Sequence, residues 1–252
     1  VIAQAARGVA DQGIPVAATR SFYGALAVRD FGNEDTKYRE LRHGSIVHGL
    51  QIHGQDHSRV PTAYYGEDSG VGWAVSTLPI DRSRRVGVVG LGAGTVAAYG
   101  RLGDVYRFYE LSPDVARIAE EQFTFLRESL AEVEVVLGDA RLSLEREDPQ
   151  AYDLIVLDAF SGDAIPVHLL TRESFELYRR HLRPGGIIAA HVSNRFVDLR
   201  PVVVAAAHHL GLTAVVAVDG NESGEWWNRT STWVLMGGSG EGAAGEEPIG
   251  EP

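Results

Sequence analysis

Val86-Gly87-Val88-Val89-Gly90-Leu91-Gly92-Ala93-Gly94-Thr95 is the stretch on which the fold reading turns. Residues 86–89 are a short apolar run of the kind that forms a buried strand, and the glycines after it open a helical stretch to about Leu102. Glycine allows a tight turn and lets a ligand approach the backbone, while the first turn of the following helix offers unpaired N–H groups. A glycine triplet alone says little. Here it has a strand before it, a helix after it, and Glu110 about 20 residues on, at the end of the next strand. A carboxylate there can accept hydrogen bonds from both hydroxyls of a ribose. The competing reading makes Gly90, Gly92 and Gly94 packing residues and Glu110 a surface charge.

Working outward, buried-strand runs alternate with helical patterns over residues 82–236. Strands are expected at 105–111, 133–137, 154–157, 187–192, 214–218 and 232–236, with a helix over 113–126 that has Pro113 in its first turn. Strands buried on both faces and separated by helices imply a parallel, doubly wound sheet. Asp139 ends the third strand of this series, where open α/β sheets bind ligands. It could meet an adenine amino group or cap the helix that starts near Ala140.

Ahead of that region, residues 20–80 are rich in Gly, His and Tyr and alternate in hydropathy, which suggests β-hairpins. Residues 1–19 hold a helix-compatible stretch (1–10) broken by Gly13 and Pro15. Residues 237–252 are Gly- and Glu-rich and are expected to be disordered. The domain reading is therefore a leading segment 1–19, a β domain 20–80, a nucleoside-binding domain 81–236 and a tail 237–252.

The 252 residues carry a formal net charge of −11, which argues against a broad nucleic-acid footprint. The absence of cysteine excludes disulfides, thiolate metal sites and cysteine nucleophiles, and agrees with a cytoplasmic setting. No apolar run reaches the roughly 18 residues of a membrane helix. His43, His48, His53 and His57 are loosely spaced along alternating strands and fit no zinc pattern, so no metal is expected. Ser161 lacks the Gly-x-Ser-x-Gly elbow of a hydrolase. Trp226 and Trp227 suit either a pocket wall or core packing. The spacing Gly-x-Gly-x-Gly favours a cofactor derived from S-adenosylmethionine over NAD.

The segment from Tyr152 through Asp158-Ala159-Phe160-Ser161-Gly162-Asp163 to Pro166 adds a resemblance. With residues 90–94, Glu110, Gly138-Asp139, His43-Gly44, residues 48–51 and residues 61–65, it resembles the spermidine synthase family. The likeness is closest to bacterial spermidine-synthase-like domains, many of them fused to membrane-transporter-like segments, and covers about residues 20–236. It implies a Rossmann-like sheet of the S-adenosylmethionine-dependent methyltransferase type beside a small N-terminal β-hairpin domain. It also implies transfer of an aminopropyl group from decarboxylated S-adenosylmethionine to a small amine or polyamine, releasing methylthioadenosine without a metal.

By that resemblance, Gln51 and Tyr64 or Tyr65 border the donor and acceptor pockets. Gly90, Gly92 and Gly94 with Glu110 hold the ribose end, Asp139 and Ala140 the adenine, and Asp158 the reacting end. Asp158, Asp163 and Tyr65 are the catalytic candidates. A homodimer and a membrane segment outside this stretch are both compatible with the likeness. Two departures stand out. The family's glycine loop carries Asp where this chain has Ala93, and its Asp-x-x-Asp loop reads here with Ser161 in the second place and Asp163 two residues later. Nucleoside binding survives these changes, whereas donor choice is open. A methyltransferase using intact S-adenosylmethionine and a non-catalytic nucleoside-sensing domain are the alternatives.

Overall fold

The computed structural model describes residues 13–238, apart from residues 23, 34–35, 45, 55–56, 160–165 and 195. The stretch 1–10, Ser161, Asp163 and the tail from 239 lie outside the described residues. Alternating side chains in the N-terminal part build a four-stranded antiparallel sheet in sequence order: β1 (Ile14–Ser21), β2 (Gly24–Phe31), β3 (Tyr38–His43) and β4 (Ile46–Ile52). β1 begins inside the leading segment 1–19, where the sequence suggests a helix-compatible stretch broken by Gly13 and Pro15. Pro15 breaks a helix but is tolerated on an edge strand, and here the register shifts between Pro15 and Ala17.

The larger sheet has seven strands in the order β10-β11-β9-β8-β5-β6-β7. They are β5 (Arg85–Val89), β6 (Val105–Glu110), β7 (Glu132–Leu137), β8 (Tyr152–Leu157), β9 (Leu182–His191), β10 (Thr213–Asp219) and β11 (Ser231–Gly237). Helices α1 (Gly70–Ser76), α2 (Pro113–Gln122), α3 (Phe125–Glu128), α4 (Ala140–Arg146), α5 (Arg172–His181) and α6 (Arg200–His209) accompany them. β5 to β9 run parallel, whereas β11 is antiparallel to both β9 and β10. The link between β10 and β11 holds no helix, and a parallel return needs a longer crossover, so the chain turns back instead.

Three local differences from the sequence reading have physical causes. The helix after the glycine loop is only a tight 3-10 turn, Thr95–Tyr99. It stops at Gly100, where a Cβ would fall 2.5 Å from Ser129 Oγ. The helix expected over 113–126 splits into α2 and α3. At the break, Gln51 Oε1 accepts the Thr124 N–H at 2.9 Å and Gln51 Nε2 donates to Thr124 Oγ1 at 2.7 Å. Finally, α1 lies in the stretch read as hairpins. Ser69 caps it, and Gly70 sits so close to Trp233 of β11 that a Cβ would come within 2.3 Å.

The two sheets share buried apolar surface. Leu26, Val28 and Leu41 of the small sheet pack on Ala93, Ile118, Phe123 and Phe125 of the large unit. Burying a side chain of this size is worth about 1.5–3 kcal/mol. That contact fixes the small sheet over the carboxyl ends of the central strands. No helix of the described residues is long and apolar enough to cross a membrane.

Candidate active site

A cavity of about 440 Å³ opens at the carboxyl ends of the central parallel strands, with the small sheet as its other wall. Leu26, Leu41, His43, Ile46, Val47 and His48 line it from β2, β3 and β4. The glycine loop forms its floor. Gly90 has φ +98°, and a Cβ there would lie 2.4 Å from the Asp158 carbonyl oxygen. Gly92 has φ +56°, and a Cβ there would lie 2.7 Å from the His48 carbonyl oxygen, so β4 rests directly on the loop. Gly94 is different. It starts the 3-10 turn beneath Leu126 and does not line the cavity.

Ala93, where the family pattern has an acid, is buried against Gly49 and is also absent from the lining. A Cβ on Gly49 would stand 2.3 Å from the Ala93 methyl group. The pair thus allows the small sheet to close on the loop.

Glu110 ends β6 in the cavity wall and is 9% exposed. Its Oε2 accepts the Leu91 N–H at 3.0 Å and its Oε1 the Ser112 N–H at 2.7 Å. Burial pushes its carboxyl above the usual range, against the opposing pull of the Ser112, Leu91 and Leu111 N–H groups. Each oxygen keeps a further lone pair for a ligand hydroxyl. Asp139 caps α4, its Oδ1 accepting the Leu142 N–H at 2.9 Å, and its Oδ2 lies 2.8 Å from His168 Nε2. Asp139, Ala140 and His168 all line the cavity.

The densest cluster surrounds Asp158, just beyond β8. Tyr65 donates its hydroxyl proton to Asp158 Oδ2, and His191 Nδ1 stands 2.7 Å from Oδ1. Burial and the adjacent carboxylate hold the Tyr65 hydroxyl well above the ordinary tyrosine range, so it stays a donor. Tyr64 also lines the cavity, its ring centroid 5.5 Å from that of His191.

Several expected site residues sit elsewhere. Gln51 does not line the cavity. Its amide is engaged at the α2–α3 break and with the Ser58 carbonyl, so it positions structure behind the glycine loop. Trp226 packs its ring on Tyr38, 5.0 Å between centroids, and neither Trp226 nor Trp227 is part of the cavity wall. His53 sits beside Asp30, and among the described residues no group of three or more His, Asp or Glu converges as metal ligands. The residues that sequence reasoning missed are His191, Ser193 and His168. His191 ends a strand of the parallel series, and the strand-end rule that found Glu110, Asp139 and Asp158 finds it too.

Three carboxylates line the cavity, and no Lys or Arg does so among the described residues. Such a lining favours a cationic ligand and leaves a ligand carboxylate without a permanently charged partner, histidines being the basic side chains of the described lining.

No family model matches the chain. Over 117 residues it is 35% identical to the polyamine aminopropyltransferase of Vibrio vulnificus, a match spanning 44% of this chain and 38% of that protein. A probable spermidine synthase from Corynebacterium glutamicum superposes with TM-score 0.65 at 22% identity, covering 90% of this chain and 80% of the other. A spermidine synthase in complex with the transition state analogue AdoDATO gives TM-score 0.59 at 13% identity over 89% and 73%. The chain is thus similar in sequence to a polyamine aminopropyltransferase, over less than half the length of that relative, and has the fold of the spermidine synthases.

Proposed function

We propose that this chain transfers an aminopropyl group from decarboxylated S-adenosylmethionine to a small amine and releases methylthioadenosine. The observation that carries the reading is Asp158, bonded by Tyr65 and His191 and set beside the glycine loop in a cavity with acids and no Lys or Arg among its described lining.

The roles follow from the chemistry. Gly90 and Gly92 let the nucleoside approach the backbone, and Glu110 accepts from the ribose hydroxyls. Asp139 and Ala140 border the adenine, Tyr64 and Tyr65 the reacting end, and Gly94 supports the loop from below. The acceptor enters as an ammonium ion. Asp158 takes one proton from it, and the freed nitrogen lone pair attacks the carbon next to the sulfonium. The new C–N bond forms as the C–S bond breaks, and its electrons go to sulfur, leaving neutral methylthioadenosine. One proton per turnover is released. The sulfonium is its own leaving group, so the residues need only orient and deprotonate.

The acidic lining favours the decarboxylated donor, whose free end is a cation. The alternative, methyl transfer from the intact donor, draws on the family's acid being replaced by Ala93, which is buried against Gly49 and outside the cavity lining, so discrimination between the two donors falls to the acids that do line it.

Incubating the protein with either donor and a set of mono-, di- and polyamines separates these readings. Methylthioadenosine is expected from the decarboxylated donor with a diamine, and Asp158→Asn should slow its formation by about 10²–10⁴-fold. Release of S-adenosylhomocysteine from the intact donor, with no methylthioadenosine from the other, overturns the proposal.

A further inference from the structure

The bond between Asp158 and His191 is one link of a longer chain. His191 Nε2 lies 2.9 Å from Ser193 Oγ, and Ser193 Oγ accepts the Thr232 backbone N–H at 2.8 Å. A carboxylate can only accept, so with Asp158 ionised the His191 proton sits on Nδ1. In the neutral ring Nε2 is then an acceptor, and the Ser193 hydroxyl is the group placed to donate to it. The Ser193 oxygen in turn takes the Thr232 N–H. Every donor and acceptor along the line is satisfied in this one arrangement.

Packing holds the ring in place. His191 is 5% exposed and stacks on Trp233 with centroids 4.5 Å apart and planes 13° from parallel. Its Nδ1–H and the Tyr65 hydroxyl reach the two different oxygens of Asp158. Donors on both oxygens fix the plane of the carboxylate and leave its remaining lone pairs to the cavity. Among the described residues, the titratable groups that face the pair are Tyr64 and Tyr65, from the segment after β4. Thr232 and Trp233 on β11 contribute none.

We propose that His191, locked in its Nδ1–H tautomer by Ser193, is a positioning residue that holds the Asp158 carboxylate aimed at the acceptor amine. The inference rests on the aminopropyl reading for its kinetic meaning, whereas the tautomer stands on geometry alone.

Three variants test it. His191→Phe keeps a ring over Trp233 and removes both nitrogens. His191→Asn restores an amide N–H close to the place of Nδ1. Ser193→Ala leaves the ring and frees its tautomer. The measurements are kcat/KM for methylthioadenosine formation, calorimetric affinity for methylthioadenosine, and ¹⁵N NMR of the histidine rings. His191→Phe should lower kcat/KM about tenfold, because the carboxylate loses a donor that fixes its plane. His191→Asn should recover most of that loss, and Ser193→Ala should show a mixture of tautomers and a smaller loss. Methylthioadenosine affinity should stay within about twofold of wild type in all three, since the line of bonds orients the carboxylate rather than the nucleoside.

An unchanged kcat/KM in His191→Phe, or His191→Asn as impaired as His191→Phe, overturns the positioning role. An Nε2–H ring signal in the unaltered protein overturns the tautomer assignment. If the unaltered protein makes no methylthioadenosine from any amine, the functional reading falls, and the NMR result still decides the tautomer.

Discussion

Strands β6 and β8 each have a carboxylate at both ends, and the two ends of the sheet treat these acids in opposite ways. At the amino end, Asp104 precedes β6 and is 1% exposed. Arg84 grips it through Nη2 at 2.5 Å and Nε at 2.8 Å, and the backbone N–H groups of Arg84 and Arg101 complete its shell. Asp153, near the start of β8, is held by Arg82, Arg183 and the Arg85 N–H. At the carboxyl end, the donors that Glu110 and Asp158 meet among the described residues are neutral or titratable: backbone N–H groups, a tyrosine and a histidine. Permanently charged partners saturate the first pair of acids. The second pair keeps lone pairs and a negative field for something not part of the chain. Pairing, more than residue type, separates the structural acids from those proposed to meet a ligand.

The largest effect is expected where the pairing is complete. Asp104→Asn leaves Arg84, 4% exposed, without its counter-ion, and should lower unfolding free energy by about 3–5 kcal/mol. Urea unfolding measures it. Replacing both partners, Arg84→Met with Asp104→Leu, should recover most of the loss, because no buried charge is then left alone. A double variant as unstable as the single one would show that the backbone bonds to Asp104, and not the ion pair, hold this end.

The two ends should also answer pH with opposite signs. Burial works to raise the Asp104 carboxyl, but the Arg84 side chain and backbone bonds outweigh it and hold the group below its ordinary value of 3.8. A depressed carboxyl stabilises the fold above the unfolded value and loses that contribution as pH falls through the folded one. Glu110 is raised from 4.5 by burial, so its contribution is full below the unfolded value and is lost as pH rises through the folded one. Urea midpoints followed from pH 7 into the acid range should fall less steeply in Asp104→Asn than in the unaltered protein. In Glu110→Gln they should fall more steeply.

At the carboxyl end the cost should appear in binding. Glu110→Ala removes the acceptor proposed for the ribose and should weaken methylthioadenosine by about 1–3 kcal/mol, read by calorimetry. Folding at neutral pH should suffer less than in Asp104→Asn, since a buried carboxylate with no charged partner is itself a burden there. Unchanged affinity would remove Glu110 from the site and erase the contrast between the ends.

Much of this was legible in advance, for reasons that can be named. The glycine loop announces itself because a strand, a turn with positive φ and a distant acid must occur together, and Gly90 and Gly92 do take positive φ. Buried strands such as 154–157 are continuous apolar runs, and a few residues decide them. What failed to show is what depends on contacts far apart in sequence. The break between α2 and α3 is met by Gln51, 73 residues from Thr124, and no local propensity reveals that. The same holds for Gln51 itself, whose amide is occupied behind the loop instead of facing the cavity. His191 reads as part of a core strand, because its partners Asp158 and Trp233 meet it only through the sheet. The direction of β11 depended on a loop without a helix, which a search for strands passes over.

Asp139 is the residue where the contrast between the two kinds of acid is finest, and its test carries the smallest expected effect. Its Oδ1 is committed to the Leu142 N–H as the cap of α4, which is a structural use. Its Oδ2 points to His168, which is 47% exposed on the side chain and can move aside for a ligand. The cap and a bond to an adenine amino group therefore use different oxygens, and substitutions can separate them. Asp139→Ser keeps an oxygen that can cap, so stability should drop by only a few tenths of a kcal/mol, whereas Asp139→Ala should lose about 1 kcal/mol. Both variants remove Oδ2. If that oxygen meets the adenine, both should weaken methylthioadenosine equally, by about 0.5–1.5 kcal/mol, whatever they do to the helix. Inosine-type analogues, which lack the amino group, should then bind all three proteins alike. Affinity that follows stability, intact in Asp139→Ser and reduced in Asp139→Ala, would make Asp139 a cap alone and place it with Asp104 and Asp153 among the structural acids.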